Sequence, residues 1–199
     1  MTLPSAGACC ASLAFVALVA YAHLVRRDLD GVAMPLSAYF SRPTRGAMFA
    51  AYLCLGIALC CTALNILPER SGAIFEGVGA ASGALLFVAA ACLLPIALTS
   101  SERLDADARS ERSRQLHRIC SQIAMIAAVL AMLAYSMLGM STASRGERAL
   151  RTDAIIVAVF AALAFAIFRS LPPGSPYYGT WQKMLVALIV LWTLLVAFA

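Results

Sequence analysis

The chain has 199 residues, of which 62% are hydrophobic and only 13% are charged. A soluble domain carries about 25% charged residues, so this composition excludes a water-soluble globular protein. The formal charge of +5 does not indicate a nucleic-acid partner, because the basic residues lie in short segments between apolar blocks, where membrane topology accounts for them.

Six apolar blocks follow one another, each long enough to cross a hydrocarbon layer of about 30 Å as a helix. Because lipid offers no water to backbone polar groups, helix is the structure expected for every block. The sequence therefore predicts an all-α protein, a single polytopic transmembrane bundle of six helices with short loops. The predicted spans are residues 5–25, 46–66, 73–98, 116–140, 153–168 and 181–199.

The polar segment between the first two spans is the first place to look for a site. Pro35 and Pro43 exclude a continuous helix through it. Arginine binds phosphate oxygens in bidentate fashion, so Arg26 and Arg27 are candidates for contact with a lipid phosphate, with Asp28 orienting them. The candidate residues of this segment are His23, Arg26, Arg27, Asp28, Ser37 and Tyr39.

The later spans add features of packing and charge. Gly79 and Gly83 predict the close approach of another helix, and Pro95 is expected to kink or end the third span. Two carboxylates mark a second polar face, because ionisable groups in apolar runs usually pair or line a polar cavity. These residues are Glu76 in the third span and Asp153 at the start of the fifth.

Lysine and arginine are more frequent in the odd-numbered loops than in the even-numbered ones. By the positive-inside rule, the odd-numbered loops are cytoplasmic and both termini lie outside. His23 ends the first span, and His117 and Arg118 begin the fourth, so all three are expected at the cytoplasmic boundary. Two histidines without a local motif do not predict a metal or haem site, and we expect no cofactor.

Three short patterns resemble elements of a bacterial integral-membrane family, Domain of Unknown Function 998. In that family an Arg-x-Asp-Leu element and a Ser-x-Tyr element follow the first helix. A Phe-Pro-x-Asp element is followed by a loop and then by a helix that begins with histidine. A Gly-x-x-x-Arg element precedes the last helix. The similar stretches here are His23, Arg27-Asp28-Leu29-Asp30, Pro35-Leu36-Ser37-Ala38-Tyr39, Leu94-Pro95, Asp105, Asp107, Leu116-His117 and Gly179-Thr180-Trp181-Gln182-Lys183.

Leu94 replaces the phenylalanine of the Phe-Pro-x-Asp element, whose aspartate lies further along here, and Lys183 replaces the arginine of the Gly-x-x-x-Arg element. The resemblance implies a six-helix bundle with a polar layer at one face of a bacterial inner membrane. It implies no activity.

The leading hypothesis is a small, non-enzymatic membrane protein that binds a lipid or a partner helix through this cytoplasmic polar layer. One alternative is an accessory subunit of a larger membrane complex, which would add other membrane protein subunits to the expected partners. Another is an intramembrane lipid-modifying enzyme, with His117 or His23 as general base and Asp28 or Ser37 as its partner.

Overall fold

The computed structural model describes residues 2–41, 43–67, 73–101, 111–138, 145–172 and 175–198, without the side chains of residues 73–76, 101, 138 and 145–149. The predicted all-α class is confirmed, since the described ranges are mainly helical and contain no strand. The helices are α1 (Leu3–Val25), α2 (Arg45–Ile66), α3 (Ala73–Ser101), α4 (Glu111–Leu138), α5 (Arg145–Ser170) and α6 (Tyr178–Phe198), and a short 3₁₀ helix (Leu36–Tyr39) lies between α1 and α2.

Each of the six α-helices is long and apolar enough to cross a membrane. The mean hydropathy of their most apolar stretches lies between 1.9 and 2.3. Large apolar side chains, such as Leu13, Ile57 and Leu163, are exposed on the outside of the bundle, where lipid rather than water would cover them. The chain is therefore an integral membrane protein.

Consecutive helices pack against each other, and α6 returns to pack against α1, which closes the bundle. At one end, the Thr2 hydroxyl donates to Asn65 Oδ1 at 2.9 Å, and Asn65 Nδ2 donates to the Val196 carbonyl at 3.4 Å. These bonds join the start of α1 to the last turns of α2 and α6. The loop between α1 and α2 lies at the opposite end, together with the end of α3, the start of α4, the end of α5 and the start of α6.

Small residues bring α3 close to α2, as predicted. A Cβ atom at Gly79 would lie 3.1 Å from the Ile66 carbonyl oxygen, and one at Gly83 would lie 3.2 Å from the Leu67 side chain. Contacts this short leave little room for a larger residue.

Helices α3, α4 and α5 extend further than their apolar runs. The α4 helix begins at Glu111, before the predicted start at residue 116. The α3 helix continues through Pro95 to Ser101, so the proline does not end it. The Thr99 hydroxyl donates to the Pro95 carbonyl at 2.7 Å. The α5 helix begins at Arg145, before the predicted start at residue 153. Hydropathy marks the part of a helix that suits lipid, whereas helical hydrogen bonding continues into polar sequence.

Candidate functional site

The first loop is bound to the first turns of α6 through its backbone. Lys183 Nζ donates to the Gly31 carbonyl at 2.6 Å, and the Thr180 hydroxyl donates to the Val32 carbonyl at 3.0 Å. Gln182 Oε1 accepts a hydrogen bond from the Leu36 amide at 3.1 Å. We call this attachment of residues 31–36 to residues 179–183 the clasp.

Gly179 is the closest point of approach in the clasp. A Cβ atom built there would lie 2.6 Å from the Ala33 carbonyl oxygen, well inside van der Waals contact. Gly179 and Lys183 are the two ends of the glycine-to-lysine pattern seen in the sequence. Gly179 leaves room for the loop backbone, and Lys183 binds it. Both residues of the pattern therefore have a structural role.

Asp30 shapes the loop before it reaches α6. Its Oδ1 atom accepts hydrogen bonds from the amides of Val32 at 2.8 Å and Ala33 at 3.2 Å. These bonds favour the ionised carboxylate and hold the pKa of Asp30 below its usual range.

Tyr39, in the 3₁₀ helix, joins α1 to α6. Its buried ring stacks on His23, with the ring centroids 4.1 Å apart, and Lys183 Nζ lies 5.1 Å from the centroid of the same ring. His23 Nδ1 is 2.8 Å from the Val19 carbonyl oxygen, so this nitrogen carries the proton. Burial raises the pKa of the Tyr39 phenol, and the Asp30 carboxylate adds to the effect.

The two arginines after α1 have different surroundings. Arg26 Nε and Nη2 bind the two Asp28 oxygens at 2.7 and 2.6 Å, a bidentate pair. Hydrogen bonding across the pair lowers the pKa of Asp28 and raises that of Arg26. Arg27 is exposed. Asp28 therefore forms a local ion pair with Arg26.

A cleft of about 400 Å³ opens at the same end of the molecule, between the 3₁₀ helix and helices α4, α5 and α6. Its lining is basic and polar near the ends of α4 and α5, and becomes apolar further into these helices, at Met125 on α4 and at Phe165 and Phe168 on α5. The described lining includes no carboxylate. The polar and cationic lining residues are Ser37, Arg114, His117, Arg118, Ser121, Gln122, Arg169, Tyr178 and Gln182.

The cations of the cleft come from two helices. Arg114 and Arg118 are four residues apart on α4, so they share one helix face, and Arg169 lies in the last turn of α5. Arg114 Nε is 3.5 Å from an oxygen of Glu111, with both side chains mostly exposed. Such exposed pairs are weak. Within the described ranges, neither Arg118 nor Arg169 has an ion-pair partner.

His117 connects the cleft to α3. Its Nδ1 atom is 3.2 Å from both the Thr99 hydroxyl and the Ser100 hydroxyl. Because the Thr99 hydroxyl donates its proton to Pro95, its oxygen is an acceptor, and a proton on His117 Nδ1 fits this geometry. His117 and Gln182 also line a small apolar cavity of about 50 Å³ in the centre of the bundle.

The structure divides the predicted polar layer in two. Ser37, His117 and Arg118 line the cleft, whereas Arg26, Asp28 and Tyr39 belong to the loop and its attachment. His23 lines a separate apolar groove of about 380 Å³ between α1 and α6. Both histidines lie at the same end of the bundle, as expected, but they line different cavities.

The second polar face has no described site. Asp153 is exposed on α5, and the side chain of Glu76 lies outside the described residues, as does the loop with Asp105 and Asp107. Across the part of the chain that the structure describes, no three His, Cys, Asp or Glu residues are grouped so that they could hold a metal ion.

The sequence alone does not assign Arg114 and Arg169 to the cleft. The spacing of Arg114, His117 and Arg118 could have revealed their common helix face. Arg169 joins them only through the packing of α5 against α4, and nothing in its local sequence indicates that contact.

Comparison with known proteins supports the resemblance found in the sequence. A family model described as "Protein of unknown function (DUF998)" matches residues 9–199. Neither the curated proteins nor the solved structures gave a match. Because the family model covers nearly the whole chain, the chain belongs to the DUF998 family.

Proposed function

We propose that this integral membrane protein binds the phosphate of an anionic lipid in the cleft between α4, α5 and α6, and that it is not an enzyme. The observation that carries the proposal is the charge of the cleft. Arg114, Arg118 and Arg169 line it, and no carboxylate is among its described lining residues.

The position of the cleft along the membrane normal suits a lipid phosphate. It lies where α4 begins, α5 ends and α6 begins, at the ends of apolar spans. Arginine side chains at such positions extend toward the headgroup layer while their stems stay in apolar surroundings. Basic pockets between transmembrane helices are known to take anionic headgroups on the cytoplasmic side.

We place the protein in a bacterial inner membrane, and the positive-inside rule supports an orientation with the odd-numbered loops in the cytoplasm and both termini outside. In that orientation the cleft opens toward the inner leaflet, whose anionic lipids would supply the ligand. The positive charge of the cleft attracts the anionic headgroups of this leaflet and raises their concentration near the cleft.

The clasp gives the cleft its fourth wall. Gln182 holds the Leu36 amide and also lines the cleft. The adjacent Ser37 is buried at the start of the 3₁₀ helix and lines the cleft as well. The first loop would therefore shape the cleft without binding the phosphate itself. In this proposal the arginines of α4 and α5 contact the phosphate, in place of Arg26 and Arg27.

A test compares the lipid retained by purified variants. Replacing Arg118 and Arg169 together with Gln removes two charged donors, each worth about 1.5–3 kcal/mol when it binds a charged acceptor. We expect anionic lipid in the extract to fall by tenfold or more. Arg27→Gln is the matched control, because it removes an exposed arginine of the first loop, and it should leave the lipid content unchanged. Equal lipid content in the double variant and the unmodified protein would contradict the proposal.

A lipid-modifying enzyme is the second candidate, and the position of His117 favours it. His117 lines the cleft, and the hydroxyl groups of Thr99 and Ser100 lie within hydrogen-bond distance of its Nδ1 atom. A histidine held in place beside a phosphate is a candidate general base. Under this alternative, His117→Gln would abolish turnover of a lipid substrate and keep its binding. Turnover unaffected by the substitution would exclude His117 as the base.

A further inference from the structure

On the basis of the lipid-binding function proposed above, we propose that the cleft selects a terminal phosphomonoester over the phosphodiester of an ordinary phospholipid. The ligand is then a lipid whose phosphate ends the headgroup, with three oxygens available for contact.

The charges of the cleft match such a ligand. Arg118 and Arg169 line the cleft and have no ion-pair partner within the described ranges, and Arg114 has only the exposed Glu111 beside it. A phosphodiester brings one negative charge and would leave an unpaired arginine in the cleft. A phosphomonoester brings a charge of about −1.5 to −2 at pH 7, which balances Arg118 and Arg169 together.

The hydrogen-bond donors fit the same ligand. Bidentate arginine contacts use two phosphate oxygens each, and a terminal phosphate has three oxygens to share between two such arginines. Tyr178 and Gln122 also line the cleft, and their hydroxyl and amide groups are the kinds of donor that could serve the positions that remain.

The apolar residues of the cleft, which lie further into the spans on the same two helices as the arginines, indicate a lipid rather than a free phosphate ion. Met125, Phe165 and Phe168 line the same cleft as the three arginines. A cleft of about 400 Å³ has room for a phosphate and the adjoining glycerol and first acyl carbons. The apolar lining residues, deeper along α4 and α5, would contact these carbons.

The selection has a characteristic pH dependence. The second ionisation of a phosphomonoester lies near pH 6, so the preference should grow as the pH rises from about 5 to 8. The titratable groups that line the cleft are Arg114, His117 and Arg118 on α4, Arg169 on α5 and Tyr178 on α6. The arginines keep their charge over this range. Protonation of His117 would act in the opposite direction, by favouring anions at low pH.

The experiment uses the full chain in nanodiscs of phosphatidylcholine that contain equal amounts of phosphatidic acid and phosphatidylglycerol. Native mass spectrometry after mild detergent release gives the ratio of the two bound lipids from one sample, so partial unfolding lowers both signals and leaves the ratio interpretable. We expect at least about tenfold more phosphatidic acid at pH 7.5, a ratio near one at pH 5, and the same pH trend in His117→Gln.

Arg118→Gln and Arg169→Gln should each bring the ratio at pH 7.5 toward one, whereas Arg27→Gln should leave it unchanged. Equal binding of both anionic lipids by the unmodified chain would overturn the selectivity and keep the lipid-binding function. Binding of neither lipid above phosphatidylcholine would overturn both. Displacement of phosphatidic acid by millimolar inorganic phosphate would support the phosphomonoester chemistry and overturn the lipid as its source.

Discussion

Gly179 shows how a single residue can determine the architecture of one end of this bundle. The loop carbonyls pass so close to the start of α6 that a methyl group at this position would meet the Ala33 oxygen at 2.6 Å. Lys183, one helical turn later, then binds the Gly31 carbonyl. Gly179 makes room for the loop backbone because it has no side chain, and the Lys183 ammonium group binds the same stretch of backbone.

Gly179→Ala should therefore destabilise the protein. The added methyl group meets backbone atoms, which cannot rotate away, so the loop must move at a cost of about 1–3 kcal/mol. Thermal unfolding in detergent, followed by circular dichroism, measures the effect. Gly46→Ala is the control, because nothing lies within 4 Å of a Cβ atom there. If the two variants melt alike, Gly179 does not limit the fit of the loop.

Asp30 should make the loop sensitive to acid. Hydrogen bonds from the Val32 and Ala33 amides lower the pKa of this carboxylate in the folded state. Its contribution is therefore complete above the unfolded-state pKa near 3.9 and is lost as the pH falls through the lower folded value. Hydrogen exchange at the Val32 and Ala33 amides should show progressively less protection below pH 4.

The matched variant is Asp30→Asn, whose side-chain oxygen still accepts hydrogen bonds but does not titrate. After correction for intrinsic exchange rates, this variant should lose the additional acid dependence. An identical pH profile in both proteins would show that another group controls the loop.

At the scale of elements, α2 and α3 depend on the small face of α3. Gly79→Val should weaken their packing by about 1–3 kcal/mol, because the new side chain would press on the Ile66 carbonyl 3.1 Å away. Gly77 is exposed on the same helix and has nothing within 4 Å of a Cβ atom, so Gly77→Val is the control. Resistance to denaturant in detergent should fall only for Gly79→Val, and an equal fall in both would point to helix propensity instead.

The elements also show what sequence can and cannot predict. Apolar runs located all six helices, because burial in lipid needs a long uninterrupted apolar stretch. The polar first turns of α4 and α5 lie outside the predicted spans, since their helical hydrogen bonds do not depend on hydropathy. Topology correctly brought His23 and His117 to one end of the bundle. It could not predict that they line different cavities, because the rotation of each helix about its axis is set by packing.

At the scale of the whole molecule, one end of the bundle carries the polar structure. The clasp, the Arg26–Asp28 pair and the cleft all lie there, whereas the other end is joined by Thr2, Asn65 and Val196. If the positive-inside rule sets the orientation, the polar end is cytoplasmic.

The orientation can be tested with fusions to the C-terminus. A fused alkaline phosphatase should be active and a fused green fluorescent protein dark in a bacterial host, because the first folds only outside the cytoplasm and the second only inside. The same two reporters placed after residue 32 of a chain truncated there should give the reverse pattern. Fluorescence from the C-terminal fusion would invert the proposed orientation and turn the cleft away from the cytoplasmic leaflet.

The central claim is that the cleft holds a lipid phosphate, and native mass spectrometry of the protein extracted in mild detergent tests it most directly. We predict a chain carrying one tightly bound anionic phospholipid, which survives collisional activation in the unmodified protein and is lost when Arg118 and Arg169 are both replaced with Gln. A folded chain of bare mass, or a lipid retained equally by the double variant, would contradict the account.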